Sequence, residues 1–379
     1  MATRSRLLFK RREWWRIGAA TLALFVHPAL DAAWAQQGST AVIERMNANT
    51  ISIVTCSPSL AYFTFAYDLA AVLNNGDELR VLPVVSQGAF QNVRDVRYLR
   101  GVDLGFAQTN ILGYYRRTGE VGDVADKLVY LAKICNEEIH VIVRSDITSL
   151  EQLRGRKVNF NTPGSGTQLS AHDLFERLKI QVEEVNFRQN DGLEKVKNGE
   201  IAATVLTSGK PADVVSPLKA SDGYRILPVP WINSMPSDYL PTQLTHEDYP
   251  DLIPPGEPID TIATGTVLFA YNWPKNTDRY RRIDKFVKAF FSRIADFRKS
   301  PRHLKWRETN LATTIPGWKR FAGAEEMLAA AREQEQAAAS ANARRGKPLN
   351  ESDRNQLFED FLKWSQSKGQ NQRTGSTSR

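Results

Sequence analysis

Val158-Asn159-Phe160-Asn161-Thr162-Pro163-Gly164-Ser165-Gly166-Thr167-Gln168 is the stretch on which the reading of this chain turns. Val158 to Phe160 has strand character and empties into a turn of Pro, Gly, Ser and Thr. A helical pattern follows at once, through Leu169, His172, Asp173, Leu174, Phe175 and Leu178. The order strand, Gly-rich turn, helix surrounds a loop with the free backbone N–H groups of a helix N-terminus, which suits a carboxylate or a phosphate. Glycines in a tight β–α turn also serve merely to allow the bend, so the neighbouring segments have to be weighed with it.

The same unit recurs on both sides. Thr50 to Thr55 reads as a strand broken by Cys56-Ser57-Pro58-Ser59, then helical spacing runs through Tyr62, Phe65, Leu69 and Leu73 to a stop at Asn74-Asn75-Gly76. Leu79 to Val85 is a strand that turns at Ser86-Gln87-Gly88 into a helix carrying Phe90, Val93, Val96 and Leu99. Val102 to Phe106 is a strand ending at Gln108-Thr109-Asn110, and Leu128 to Val143 is one long strand or two, interrupted at Asn136-Glu137-Glu138. After the opening stretch, Ile180 to Phe187, Ile201 to Thr207 and Tyr224 to Val229 read as strands, and Gly192 to Lys197 and Ala212 to Leu218 as helical. Pro236 to Pro258 reads as an irregular crossing, Thr261 to Tyr271 as a strand and Asp278 to Arg298 as an amphipathic helix. Strands alternating with helices place the chain in the α/β class with mainly parallel sheets, in two clusters. Ala324 to Ala343 is helical by propensity with little to bury, Asn350 to Trp364 presents one apolar face, and Ser365 to Arg379 is too polar to order itself. This extension reads as a packing appendage, with a protein-docking helix as the alternative.

In open α/β sheets, ligands sit outside the carboxyl ends of the strands, near helix N-termini. Five strand exits carry small polar or amide residues. Three belong to the first cluster and supply Ser57, Ser59, Gln87, Gln108 and Asn110. Two belong to the second and supply Thr162, Gly164, Ser165, Gly166 and Thr167, then Ser208, Gly209 and Lys210. Together they predict a cleft lined by neutral donors plus Lys210, fit for reversible capture of a small anion.

The first 35 residues read as a secretory signal: Arg4, Arg6, Lys10, Arg11, Arg12 and Arg16 precede the apolar run Ile17 to Pro28, and Ala33-Trp34-Ala35 is an A-x-A cleavage site before Gln36. Arg11-Arg12 also resembles a twin-arginine signal. Those six cations against Glu13 and Asp31 account for half of the net charge of +8. The rest is a mild excess, with basic residues interleaved with acids, and it gives no support for nucleic-acid binding. Cys56 and Cys135 are compatible with one disulfide in an exported protein or with two buried thiols. The five His have no metal-ligand spacing, so neither a metal nor a cofactor is expected.

Catalytic readings fit poorly. Gly164-Ser165-Gly166 lacks the spacing of a nucleophile elbow, and the turn lacks the ending of a nucleotide-binding P-loop. Glu137 and Glu138 on a strand would point to opposite faces, a poor arrangement for paired acid and base work, and read more simply as a solvated turn. His140 and His172 have no evident partner and read as structural. An enzyme is not expected.

The run Ser86-Gln87-Gly88-Ala89-Phe90-Gln91-Asn92-Val93, then Leu99 to Gln108, His140 to Asp146, Ser149 to Asn159 and Pro163 to Thr167, resembles solute receptors of the TAXI type. These are the secreted binding subunits of one branch of tripartite ATP-independent periplasmic (TRAP) transporters. The resemblance covers roughly residues 50–300 and includes Gly209 and Pro211 as a G-x-P element. It implies a two-lobed type II periplasmic-binding fold, each lobe a sheet flanked by helices and joined by hinge strands. On the pattern above, the first lobe is expected over 48–143 plus 236–322, the second over 144–235, and a helical extension over 323–379. The resemblance further implies that Asn92, Gln108, Thr162, Ser165, Thr167 and Gly209 line the cleft, with Tyr62 contributed by the first loop. It implies a small carboxylate as ligand, a TRAP permease as partner and the periplasm as location. Two departures stand out. The first strand exits through Cys56-Ser57-Pro58-Ser59-Leu60-Ala61-Tyr62-Phe63, without the family's glycines. Asn110 stands where the family has Asp, which removes a counter-charge and tilts the expected ligand towards one without an amine. A competing expectation keeps the fold but makes the protein a periplasmic scaffold or sensor acting through its C-terminal extension.

Overall fold

The computed structural model describes residues 40–58, 60–76, 78–233, 235, 238–344 and 351–361, with side chains placed outside 338–344. The expected signal segment, Ser59 and the tail from residue 362 lie outside the described residues. The chain divides into a unit spanning 1–49, of which 40–48 are helical, and a unit spanning 50–379 that holds the α/β body.

The body begins with β1 (Thr50–Val54), α1 (Ala61–Leu73), β2 (Arg80–Val84), α2 (Ala89–Tyr98), β3 (Leu104–Gln108) and α3 (Asn110–Thr118). β4 (Leu128–Arg144) leads to β5 (Lys157–Asn159), α4 (Gly166–Leu178), β6 (Glu183–Val185), α5 (Gln189–Lys197), β7 (Ala203–Ser208) and β8 (Tyr224–Leu227). β9 (Tyr239–Leu244) and β10 (Ile259–Tyr271) precede α6 (Asp278–Ser292), α7 (Ile294–Phe297), β11 (Lys319–Arg320) and α8 (Ala322–Arg344). β1 pairs parallel with β2 and β3, and β5 pairs parallel with β6 and β7. Between these two sets run β4 and β10, antiparallel to each other. The first half of β4 pairs with β10 and its last residues pair with β7 and β8; β10 pairs with β9 at its start and β3 at its end. Two long strands thus cross from one α/β set to the other.

The apolar residues sort the same way. One core gathers β1 to β3, α1 to α3, β4 as far as Cys135, β10 from Val267 and α6. Two further cores take β4 from Ile139, the β5 to β8 region and β10 at Ile262. The division therefore falls on β4 between Cys135 and Ile139, and on β10 between Ile262 and Val267. Segment 239–262 packs with the second set, through Tyr239, Leu244, Tyr249 and Ile253, whereas the sequence pattern groups it with the first. The reason is β9, which pairs along the near half of β10 and carries the segment with it.

Local sequence accounts for most elements. Thr277 caps α6 by accepting from the Tyr280 N–H, Asp278 favours its first turn, and Ile283, Phe286, Val287, Phe290 and Phe291 form its buried stripe. Three expectations change. Ala212 to Leu218 forms turns rather than a helix, because Pro217 lacks the N–H that would bond the Asp213 carbonyl and continue one. The Pro236 to Pro258 region contains β9, where Pro241 is tolerated because β9 lies off the main strand path, beside β10. Asn136-Glu137-Glu138 is not a solvated turn but the middle of β4, with both glutamates buried. In the C-terminal extension, Met327, Leu328 and Phe361 are buried in the first core.

Candidate functional site

A cleft of about 660 Å3 lies where the two sets face each other. Its wall is built from the first turns of four helices: Leu60 to Tyr62 at α1, Gln87 to Ala89 at α2, Ser165 to Thr167 at α4 and Arg188 to Asp191 at α5. Leu60, Gly88 and Arg188 provide no side-chain cap, and Ser165 caps α4 by accepting from the Gln168 N–H. Each N-terminus carries roughly half a positive charge, so the wall favours negative groups. The opening stretch of sequence is thus a β–α turn on the cleft wall, with Gly164 in the left-handed region (φ 77°). Gly166 permits a close approach: a Cβ there would sit 2.5 Å from Gln108 Oε1, which reaches across from β3, and would force that amide to shift.

The cleft brings together Ser57, Tyr62, Gln87, Gln108, Thr162, Ser165, Gly166, Thr167 and Ser208 of the expected residues. Ser59 lies outside the described residues, and the cleft does not take in the remaining five. Asn92 is fully buried and staples two strand exits, donating from Nδ2 to the carbonyls of Thr55 and Phe106 at 2.7 Å each. Asn110 donates to the Tyr239 hydroxyl at 2.7 Å, and that hydroxyl donates to Asp173. Gly164 lines a second groove, of about 820 Å3, which shares Gln87 with the cleft. Gly209 lies under the aliphatic stem of Lys305, which would be 3.0 Å from a Cβ. The Lys210 ammonium pairs with Asp248 at 2.8 Å and donates to the Gln243 carbonyl at 2.6 Å. Asp248 belongs to the segment that packs with the second set, and so the one cation expected in the cleft is engaged elsewhere.

Sequence reasoning missed the most buried charged group on the wall. Glu137 accepts from Gln108 Nε2 at 2.6 Å and from the Thr266 hydroxyl at 2.5 Å. The Tyr62 hydroxyl stands beside it without completing a hydrogen bond of ordinary geometry. Burial pushes the Glu137 carboxyl up, against the pull of these donors. Like unit charges about 4 Å apart repel by about 4 kcal/mol at an effective dielectric of about 20, so a bare anion cannot lie directly against ionised Glu137. The strand period signalled that Glu137 and Glu138 face opposite ways, but not which of them meets the cleft. Asn161, Arg188, Gln189 and Asp191 were also missed; their place follows from α4 and α5 both packing on β7, with Asn161 donating to Gln189 at 3.1 Å. Cys56 lies on the wall and Cys135 in the first core; both are free, and burial pushes Cys56 up to about 12. The cleft thus offers helix N-termini, neutral donors, the exposed side chains of Arg188 and Asp191, one buried acceptor and a thiol held in its unreactive form.

Among the described residues, no three His, Cys, Asp or Glu side chains come together as a metal site would need, and no helix is long and apolar enough to cross a membrane. Residues 53–317 match the NMT1-like family. Similar solved structures include one described as a periplasmic transporter, at 13% identity over 80% of this chain and 99% of that one, with a TM-score of 0.45. A protein of Xanthomonas citri bound to ATP is 13% identical over 84% of this chain and 98% of that one, with a TM-score of 0.44. A periplasmic binding protein of an ABC transporter from Brucella ovis, with glutathione bound, is 15% identical over 69% of this chain and 76% of that one, with a TM-score of 0.42.

Proposed function

Since the chain belongs to the NMT1-like family, we propose that it is an exported solute receptor whose lobes close on a small molecule and deliver it to a membrane permease. One observation carries this reading: a cleft of about 660 Å3 is walled by both lobes, and the lobes are joined through the crossing strands β4 and β10. Such a joint lets contacts made by both walls at once shift the population towards a closed state. The helix N-termini favour a solute with a carboxylate or similar anionic group. The permease expected from the sequence resemblance is of the TRAP type, and the location is the periplasm, reached through cleavage before Gln36.

Thermal unfolding of the purified protein, measured against small carboxylates, amino acids and phosphate, tests the reading. A concentration-dependent rise in Tm for a compound class is the expected result, because a ligand that binds only the folded state stabilises it. Well-folded protein that responds to nothing in the panel would overturn it. Cell fractionation and N-terminal sequencing test export separately, with Gln36 as the expected first residue.

A further inference from the structure

Three observations meet at the junction of the lobes. Glu137 lies midway along β4, and Thr266, which donates to it, lies on β10, the other crossing strand. The Thr207 hydroxyl, from the second lobe, is buried on the cleft wall without a hydrogen-bond partner, and the Tyr62 hydroxyl, from the first, stands beside Glu137. Of the charged side chains on the described wall, Arg188 and Asp191 are exposed at the start of α5, and Glu137 alone is buried. A carboxylate accepts about four hydrogen bonds, and Gln108 and Thr266 account for two.

Both oxygens of Glu137 accept a hydrogen bond, as an ionised carboxylate does, and beside such a carboxylate a solute that is anionic throughout would leave the acceptor unmatched and place like charge against it. A solute with an N–H-bearing end would meet it and would also give the Thr207 hydroxyl a neighbour. The helix N-termini around the same cleft call for the opposite polarity. We propose that Glu137 selects the nitrogen of the solute. The ligand is then a dipolar small molecule whose amine or other N–H-bearing end docks on Glu137, between Tyr62 and Thr207, and whose anionic end docks at the helix N-termini. This rests on the receptor reading above and narrows its ligand class. It reverses the expectation drawn from Asn110: that side chain is committed to Tyr239, and the counter-charge comes from β4 instead. Because Glu137 and Thr266 sit on the two crossing strands, the contact that reads the nitrogen falls on the elements about which the lobes close.

Calorimetric titration with matched pairs that differ in their nitrogen provides the test: L-glutamate and glutarate, 4-aminobutyrate and butyrate, 4-aminobenzoate and benzoate. The expected result is that a nitrogen-bearing member binds, that its partner binds at least about tenfold more weakly, and that Glu137→Gln shrinks the gap to under about threefold. Equal binding of both members, binding of nitrogen-free carboxylates alone, or an undiminished gap in folded Glu137→Gln would overturn the assignment and leave the receptor reading standing. If no compound in these pairs or in the broader thermal panel binds folded wild-type protein, both readings fall together. The wild-type comparison requires no variant, so it decides the matter even where Glu137→Gln does not fold.

Discussion

Glu137 and Glu138 are consecutive on β4, and their carboxylates leave opposite faces of the sheet. Glu137 accepts from Gln108 Nε2 at 2.6 Å on the cleft side, and Glu138 accepts from Lys305 Nζ at 2.8 Å on the other. Period-two alternation sends neighbouring side chains to opposite faces, so one dipeptide serves two purposes. Glu138 builds a buried ionic joint: Lys305, 2% exposed, also bonds Glu308 at 2.7 Å, and the Lys210 N–H donates to Glu138 at 2.9 Å. Glu137 is left to face whatever enters the cleft.

Lys305→Met strands Glu138 in the interior with its charge unpaired. A loss of about 3–5 kcal/mol in unfolding free energy is expected, read from urea denaturation. Combining Lys305→Met with Glu138→Gln should cost clearly less than the two single changes added together, since the pair is removed as a unit. Additive losses would show that the contact is not coupled.

His140 makes stability depend on pH. Its Nδ1 lies 3.0 Å from the Glu138 carbonyl oxygen, which can only accept, so Nδ1 carries the proton. The Tyr249 hydroxyl, 2.8 Å from Nε2, donates to it and accepts from the Ala212 N–H. Burial keeps the ring neutral and lowers its pKa from 6.5 to about 4. Between these values the unfolded chain binds more protons, so the contribution of the neutral ring is full above pH 6.5 and is lost as the pH falls towards 4. The loss amounts to about 3 kcal/mol at about 1.4 kcal/mol per pKa unit. Glu138, which burial pushes up despite the ammonium beside it, acts with the opposite sign, so the measurement is a difference. The stability gap between wild type and His140→Gln should narrow as the pH falls from 7 to 4. A gap constant with pH would mean that the folded protein does not hold His140 neutral.

Asn92 and Thr167 separate a structural role from a binding one. Asn92→Ala removes the donor to the Phe106 carbonyl, and a stability loss of about 1–3 kcal/mol is expected, with solute affinity changed by less than about threefold. Thr167 lines the cleft and accepts from the Thr207 N–H at 3.1 Å. Thr167→Ala should therefore weaken solute binding while the protein stays folded. Thermal shift for stability and titration calorimetry for binding distinguish the two, and the opposite pattern would relocate the site.

Cys56 and Cys135 should resist a thiol reagent. Burial raises both pKa values, Cys56 to about 12, so almost no thiolate is present near neutral pH. Ellman's reagent is expected to label neither thiol in native protein and both after denaturation, with Tm unaffected by reductant. Rapid labelling of Cys56 in the native state would show that the cleft opens far enough to hydrate it.

Much of this was legible in one dimension. The apolar runs and turn residues marked nearly every element, and the turn at Thr162 to Thr167 was recognisable as a helix N-terminus because Ser165 is a cap residue followed by a helical stripe. What escaped was which polar group faces which neighbour. Asn92 and Gln108 both stand near strand exits, yet one staples carbonyls and the other reaches the cleft, because only the packing of α2 against β1 and β3 decides the direction of Asn92.

The sequence by itself determined the α/β class, three of the four helix starts that ring the cleft and the alternation of Glu137 and Glu138, since each follows from local geometry within a few residues. Tertiary structure alone decided the rest. Pairing of β9 with β10 carried Asp248 to Lys210 and withdrew that cation from the cleft. The crossing of β4 with β10 set Glu137 beside Thr266. Both contacts join residues far apart in the chain, and burial, which turns an ordinary glutamate into a selective acceptor, exists only once those strands have met.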